Sequence, residues 1–344
     1  MKKKLLLLFL AFFALVAFRS QPIFHLDIPT NWPKPHYDFS SNPLSKEKIE
    51  LGRTLFYDPI LSRNNTISCA NCHLQYTAFT HVDHALSHGI DDKIGTRNAP
   101  ALINLAWNTA FMWDGAINHL DMQALAPISN PNEMDNSIEN VVAKFRQSKI
   151  YPALFLRAFG DSNITGERML KTISQFMVTL VSSNSKYDSV QRHQTEYTAQ
   201  ENNGYRIFRE NCASCHQEPL FTNFQYENNG LAVDSTLNDI GRINITKNPD
   251  DSLKFKVPTL RNIEFSYPYM HDGRFRRLSD VLKHYTVGIH SSKTLSKQLK
   301  QPIELTSNEK VDVIAFLLTL TDKKFLFDTA YSFPKYIFFP SAKD

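Results

Sequence analysis

The 344 residues include only four cysteines, so no disulfide network can staple this chain. It also lacks an apolar run long enough to span a bilayer. The run from Leu5 to Phe18 has 14 residues, where about 20 are needed. Preceded by Lys2, Lys3 and Lys4, it reads as a secretory signal over residues 1–20. Ala14, Ala17 and Ser20 are small enough for a cleavage region, but Phe18-Arg19 breaks a simple small-x-small pattern, so retention as an N-terminal anchor is the alternative. No cysteine follows the run closely, which excludes a lipidated-cysteine anchor. Net charge is missing too: Lys2, Lys3, Lys4 and Arg19 supply the whole formal +4, and the rest balances, which gives no argument for nucleic acid as a partner. Long alternating runs of the kind a sheet needs are absent, which points to a mainly α fold.

The four cysteines all lie in two copies of one pattern, Cys69-Ala70-Asn71-Cys72-His73 and Cys212-Ala213-Ser214-Cys215-His216. Two thiols three residues apart can each bond a porphyrin vinyl group, and the adjacent histidine reaches the iron. Zinc would need four ligands at each site, or four cysteines gathered across about 140 residues. A thioredoxin-like pair would leave both histidines unexplained. The expectation is two covalently bound haem c groups, with His73 and His216 as proximal ligands. Covalent haem also fits export, since its thiols are handled outside the cytoplasm.

Along the chain, residues 21–44 are rich in proline and aromatics and read as an extended lead-in. Periodicity predicts a helix from Ser45 to Phe56, a loop over the first haem from Phe79 to Pro100, a helix capped by Ser137, and another over Glu167–Leu180. Ser182–Asn203 is polar and reads as a linker. Gly204–Phe208 opens a helix feeding the second motif, and Thr306-Ser307-Asn308-Glu309 has capping-box spacing ahead of a face with Val311, Ala315 and Leu318. Residues 325–340 read as a tail strapped across the body. The architecture expected is two cytochrome c-like haem domains packed together with few or no strands, spanning 45–190 and 191–344.

Electron carriage needs both irons closed by protein ligands, whereas chemistry on peroxide needs an open face. In the loop after the first motif His81, His84 and His88 are candidate sixth ligands, with His88 best placed. Around the second haem the candidates are Met270, His271, His284 and Tyr285. Peroxide reduction also needs an acid/base group. Glu133, after the turn Asn130-Pro131-Asn132, is one reading; a plain helix-entry carboxylate near Ser137 is the other.

These residues resemble the bacterial dihaem cytochrome c peroxidase family, which includes the dihaem enzyme that matures the cofactor of methylamine dehydrogenase. Beyond haem attachment the resemblance rests on Arg97-Asn98-Ala99-Pro100, Phe111-Met112-Trp113-Asp114-Gly115, Gln123 with Asn130–Met134, Val257–Asn262 and Pro268–Gly273, roughly residues 45–320. It implies a peroxidatic haem on His73 and an electron-receiving haem on His216, supplied by a cytochrome c or copper protein. It further implies Glu133 as acid/base beside Gln123, Trp113 as relay between the haems, a calcium ion held near Asn98, Ser266 and Pro268, Arg261 at a haem propionate or a surface carboxylate, a periplasmic location, and a homodimer. Two departures stand out. Where classical members carry a loop histidine that closes the first iron, alignment puts Ile90, which favours an open site over a shifted His88. Where they carry methionine on the second iron, fourteen residues after His271, this chain has Tyr285, as the cofactor-maturing relatives have tyrosine. The leading expectation is reduction of hydrogen peroxide to water. The alternatives are peroxide-driven oxidation of a protein or small molecule over a distance, and a non-catalytic electron carrier.

Overall fold

The computed structural model describes residues 24–339, so the expected signal segment lies outside the described residues. Seven helices of nine residues or more are numbered here: α1 Lys46–Tyr57, α2 Ile138–Gln147, α3 Tyr151–Phe159, α4 Gly166–Val178, α5 Ala199–Asn211, α6 Leu278–Val287 and α7 Ser307–Leu318. The described strands are two antiparallel pieces of two residues each, β1 Tyr226–Glu227 and β2 Phe255–Lys256, with Tyr226 opposite Lys256. The mainly α architecture expected from the sequence is therefore present.

Two apolar cores divide the chain. The first runs from Tyr37 to Leu180 and takes in Phe56, Phe79, Phe145, Tyr151, Phe155 and Phe176. The second is smaller and holds Tyr187, Phe208, Phe221, Leu282 and Phe316. Each is built on a helix crossing made close by a glycine. A Cβ on Gly52 of α1 would overlap the Thr172 carbonyl of α4, and one on Gly204 of α5 would overlap the Asp312 carbonyl of α7. In both modules the helix that carries this glycine runs toward the haem-attachment motif, so the crossing fixes where the cysteines start.

Helix caps follow the sequence closely. Ser45 caps α1, Ser137 caps α2, and Thr306 with Glu309 forms the capping box of α7. The buried stripe of α7 differs from expectation. Val313, Phe316 and Leu317 are buried, while Val311 and Leu318 are exposed. The side of the helix at Asp312 and Phe316 is the one packed closely on Gly204.

The segment Ser182–Asn203, expected as a linker, is an ordered joint. It contains a short helix Lys186–Gln191 and the first residues of α5. Asp322 accepts hydrogen bonds from the backbone N–H of Ser183 and Asn184 at 2.9 and 2.8 Å, and the Asn262 amide donates to Ser182 Oγ. Polar composition here satisfies backbone groups at a buried junction rather than solvating a free strand. The lead-in and the tail both close on the first module. Trp107 Nε1 donates to the Pro33 carbonyl, Tyr57 hydroxyl donates to the Tyr331 carbonyl, and Phe325 and Leu326 join the first core.

Candidate haem sites

Two cavities, of about 310 and 230 Å³, open beside the two attachment motifs. The first is lined by Cys72, His73, Met112, Trp113, Gln123 and Glu133 among others. The second is lined by Cys212, Cys215, His216, Met270, His271 and Tyr285 among others.

The histidines are prepared for iron. Nδ1 of His73 lies 2.7 Å from the Phe79 carbonyl, and Nδ1 of His216 lies 3.2 Å from the Phe221 carbonyl. A carbonyl only accepts, so Nδ1 must carry the proton and Nε2 keeps its lone pair for a metal. Burial pushes His73 down to about 4 and lowers His216 as well, which keeps both rings neutral. Burial also raises Cys69 to about 12 and Cys72 to about 11, so these are not reactive thiolates; their sulfurs stand where thioether bonds to haem form. The donor set fits covalent haem at both sites.

In the first cavity Glu133 is positioned by its own turn. Its N–H donates to the Asn130 carbonyl at 3.0 Å, and the Asn130 amide donates to Glu133 Oε1 at 2.8 Å. Burial raises the carboxyl above the ordinary glutamate value, and the Asn130 hydrogen bond offsets only part of that. Gln123 lies at the end of a single helical turn, Leu120–Gln123, with Nε2 3.8 Å from Met112 Sδ. Thus Gln123 and Glu133, far apart in the chain's local patterns, share one wall.

The loop over this haem does not deliver a second histidine. His88 stacks on the exposed His84 with ring centroids 4.0 Å apart, and His84 stacks on His81 at 5.2 Å. Ile90 is fully buried and its N–H donates to the Glu133 carbonyl at 2.7 Å, pinning the loop on the Glu133 turn. Among the described residues His73 is the one histidine lining this cavity. Met112, a thioether lining the same cavity, was not singled out as a candidate from sequence; its side chain is visible only as the residue before Trp113.

In the second cavity Tyr285 projects from α6. Burial, together with the nearby Cys212 and Cys215, raises its phenol to about 12, against a lowering contribution from the Asn229 amide. Met270 also lines the cavity, but Asn229 Nδ2 lies 3.4 Å from its sulfur. His284 faces elsewhere, with Nε2 donating to the Asn229 carbonyl at 3.0 Å. His271 stacks on Phe255 with centroids 3.7 Å apart. Asn229 thus touches three of these groups, and no spacing in the sequence marks it.

Between the cavities stands a shared wall. Trp113 lines both, its Nε1 donates to the Asn98 carbonyl at 2.8 Å, and its own carbonyl accepts from Lys256 N–H at 2.7 Å. Asn98, Ser266 and Pro268 all line the second cavity. No group of three or more His, Cys, Asp or Glu side chains suited to a metal ion occurs among the described residues.

Arg261 corrects an expectation. It is fully buried and lines neither cavity; its guanidinium makes paired bonds of 2.9 and 2.8 Å to Asp188, donates to the Pro219 carbonyl, and lies over Trp32 at 4.7 Å. The carboxylate it meets is therefore the internal Asp188 rather than one at the surface. Although burial pushes Asp188 upward, the Arg261 and Ser185 bonds outweigh it and hold the carboxyl below the usual range.

The comparisons agree with this geometry. Residues 46–196 match the family model for di-haem cytochrome c peroxidase, and residues 201–321 match cytochrome c. The methylamine utilization protein MauG of Methylorubrum extorquens is 35% identical over 85% of this chain and 82% of its own. A cytochrome c551 peroxidase of Nitrosomonas europaea is 34% identical over 81% of each. A solved MauG-like protein associated with microbial copper homeostasis superposes with a TM-score of 0.82 at 33% identity, covering 90% of this chain and 99% of that one. The chain belongs to the bacterial dihaem cytochrome c peroxidase and MauG-like family, and is a haem-dependent oxidoreductase with covalent haem c.

Replacing Asp188 with Asn should destabilise the protein by about 3–5 kcal/mol, because it leaves the buried Arg261 charge without its partner. Since the folded Asp188 carboxyl lies below its unfolded value, this contribution is present above the unfolded value and lost as pH falls through the folded one. Denaturant unfolding of the holoprotein at pH 7 and near pH 3 checks both points. The gap between wild type and Asp188→Asn should narrow at the lower pH.

Proposed function

We propose that the haem on His73 is where hydrogen peroxide is reduced, by two electrons and two protons, to two waters, and that the haem on His216 passes electrons to it. The supporting observation is a buried Glu133, its carboxyl raised by burial above the ordinary glutamate value, on the wall of a cavity whose one histidine among the described residues is His73. The electrons come from a small exported redox protein, a cytochrome c or copper protein, in the periplasm. Bound haem supplies the iron that takes peroxide and the conjugated ring that carries electrons. The chain's own residues do the rest. Glu133 takes the proton from one peroxide oxygen and returns it to the other. Its raised pKa brings it nearer the pH range where one group serves well in both directions. Gln123 and Asn130 orient peroxide and carboxylate, and Trp113 bridges the two cavities as the relay. Asn98, Ser266 and Pro268 supply amide and carbonyl oxygens of the kind that suits calcium. The signal-like segment is cleaved on export in this reading, with anchoring as the alternative.

Glu133→Gln should lower kcat/KM for peroxide by about 10²–10⁴ with both haems loaded. Because the carboxylate form must accept the first proton, wild-type turnover should fall as pH drops through a value above that of an ordinary glutamate, and the variant should lose this limb. A variant that keeps both rate and limb would exclude Glu133 as the acid/base group.

The first iron is taken to be open without prior reduction, since the His88 ring is stacked on His84. Ferric electron paramagnetic resonance of the protein as isolated should show one high-spin haem, unchanged by His88→Ala. Two low-spin signals would overturn the open site, pointing to His88 if that substitution converts one of them and to Met112 if it does not.

Tyr285, which lines the second cavity, would supply an oxygen ligand to the second haem. A phenolate oxygen favours the ferric state, which also supports a second reading, oxidation of a protein or small-molecule partner at a distance using peroxide. Tyr285→Met should raise the midpoint potential of the second haem, and Tyr285→Ala should alter its ferric spectrum. No change in either would remove Tyr285 as a ligand, while steady-state turnover with ferrocytochrome c separates the two readings.

A further inference from the structure

Lys256 is the second residue of β2, and the strand's alternation sets it apart from its neighbours. Phe255 stacks on His271, and Val257 is buried with its N–H donating to the Gln225 carbonyl. Lys256 itself is tied by its backbone to Trp113 and lines both haem cavities. Of the residues common to the two cavity walls, it alone carries a charged side chain.

Its charge has no partner. Among the described residues no carboxylate lies within ion-pair distance of it, whereas the cations around it are matched: Arg97 to Asp114 and Asp239, Arg242 and Lys254 to Asp251, Arg261 to Asp188. Glu227 lines the second cavity but is bonded to Ser296 Oγ. Arg97, the other cation on the first cavity wall, is committed to two aspartates. The second cavity wall has no other lysine or arginine. Burial alone lowers the Lys256 ammonium to about 8, as expected for a cation enclosed without an anion.

Each haem brings two carboxylates, and a protein that encloses one uncompensated ammonium between two such groups has prepared a site for them. We propose that Lys256 is a shared propionate anchor: its ammonium pairs with a haem carboxylate in the gap between the cavities and raises the reduction potential of both haems. The ammonium offsets carboxylate charge that otherwise favours the ferric state, and the low-dielectric wall lets one charge act on two irons. Lys256 is a positioning residue, since it moves no proton in peroxide reduction. The inference rests on the presence of two haems and stands whether or not peroxide is the substrate.

The test is a spectroelectrochemical titration of the holoprotein with Lys256→Met and Lys256→Arg beside wild type, after haem content has been measured. Both midpoint potentials should shift negative in Lys256→Met and return toward wild type in Lys256→Arg. If neither haem shifts, the proposal fails; if only one does, the shared role fails. Should Lys256→Met not load two haems, Lys256→Gln is compared with Lys256→Arg. Equal potentials in those two variants would overturn the anchor, and a more negative pair in Lys256→Gln would support it. Peroxide turnover is not the readout, so loss of the peroxidase reading leaves this result interpretable.

Discussion

The hydrogen bond from Lys256 N–H to the Trp113 carbonyl joins a loop of the first module to the short ribbon of the second, and it does so in the wall that both haem cavities share. The same wall is held from the other side by Trp113 Nε1 on the Asn98 carbonyl and by Asn98 N–H on the His271 carbonyl at 2.7 Å. Segments at Asn98, His271 and Lys256 are thereby tied together around Trp113, whose indole bonds the Asn98 carbonyl and whose own carbonyl takes Lys256 N–H. Electron passage depends steeply on distance and orientation, so two modules carrying one haem each gain a two-centre function only if this junction is rigid.

Rigidity here comes from polar groups rather than from a continuous core. The two apolar clusters are separate, and between them lie Arg97 on Asp114 and Asp239 at 2.6 Å each, Arg261 on Asp188, and Asp322 on the backbone of Ser183 and Asn184. Buried ion pairs of this kind add little net stability against an apolar substitute, but each tolerates only one geometry. An apolar junction would allow small slides with little change in energy. A bidentate guanidinium–carboxylate contact does not. The junction therefore trades stability for a defined haem-to-haem placement.

What the sequence made legible follows from how local each signal is. Cys69, Cys72 and His73 act within one turn of chain, as do Cys212, Cys215 and His216, so covalent chemistry alone identified them. Ser137 and Thr306 were readable as caps for the same reason. Glu133 was ambiguous because a carboxylate after a turn looks the same at a helix entry as in a pocket; the burial that raises its pKa comes from packing in the fold, while Asn130 works against it. Arg261 and Lys256 show the limit more sharply. Both are cations, Arg261 within the motif Val257–Asn262 and Lys256 just before it, but one meets Asp188, 73 residues away, and the other meets no carboxylate among the described residues. Nothing in either neighbourhood distinguishes these fates, because ion pairing between distant segments is decided by the packing of the two modules. The polar segment at Ser182–Asn203 misled for a related reason: side chains that would solvate a linker are the ones a buried joint needs for its backbone.

The two sites differ through their distal groups, since their proximal sides are nearly the same. His73 and His216 are both neutral, both buried and both oriented by a carbonyl on Nδ1. Elsewhere on its wall the first cavity presents a carboxyl and amides, groups that move protons or bind them, and the second presents a phenol and a thioether beside Asn229. Proton-handling groups suit a substrate that must be split and protonated. A phenol in the second cavity suits a centre favoured in the ferric state. In the function proposed above, the direction in which oxidising equivalents leave the protein is set at Tyr285, while the rate at which they are made is set at Glu133. Because one rigid wall separates the two residues' cavities, a change at either one alters one half of the reaction without dismantling the other.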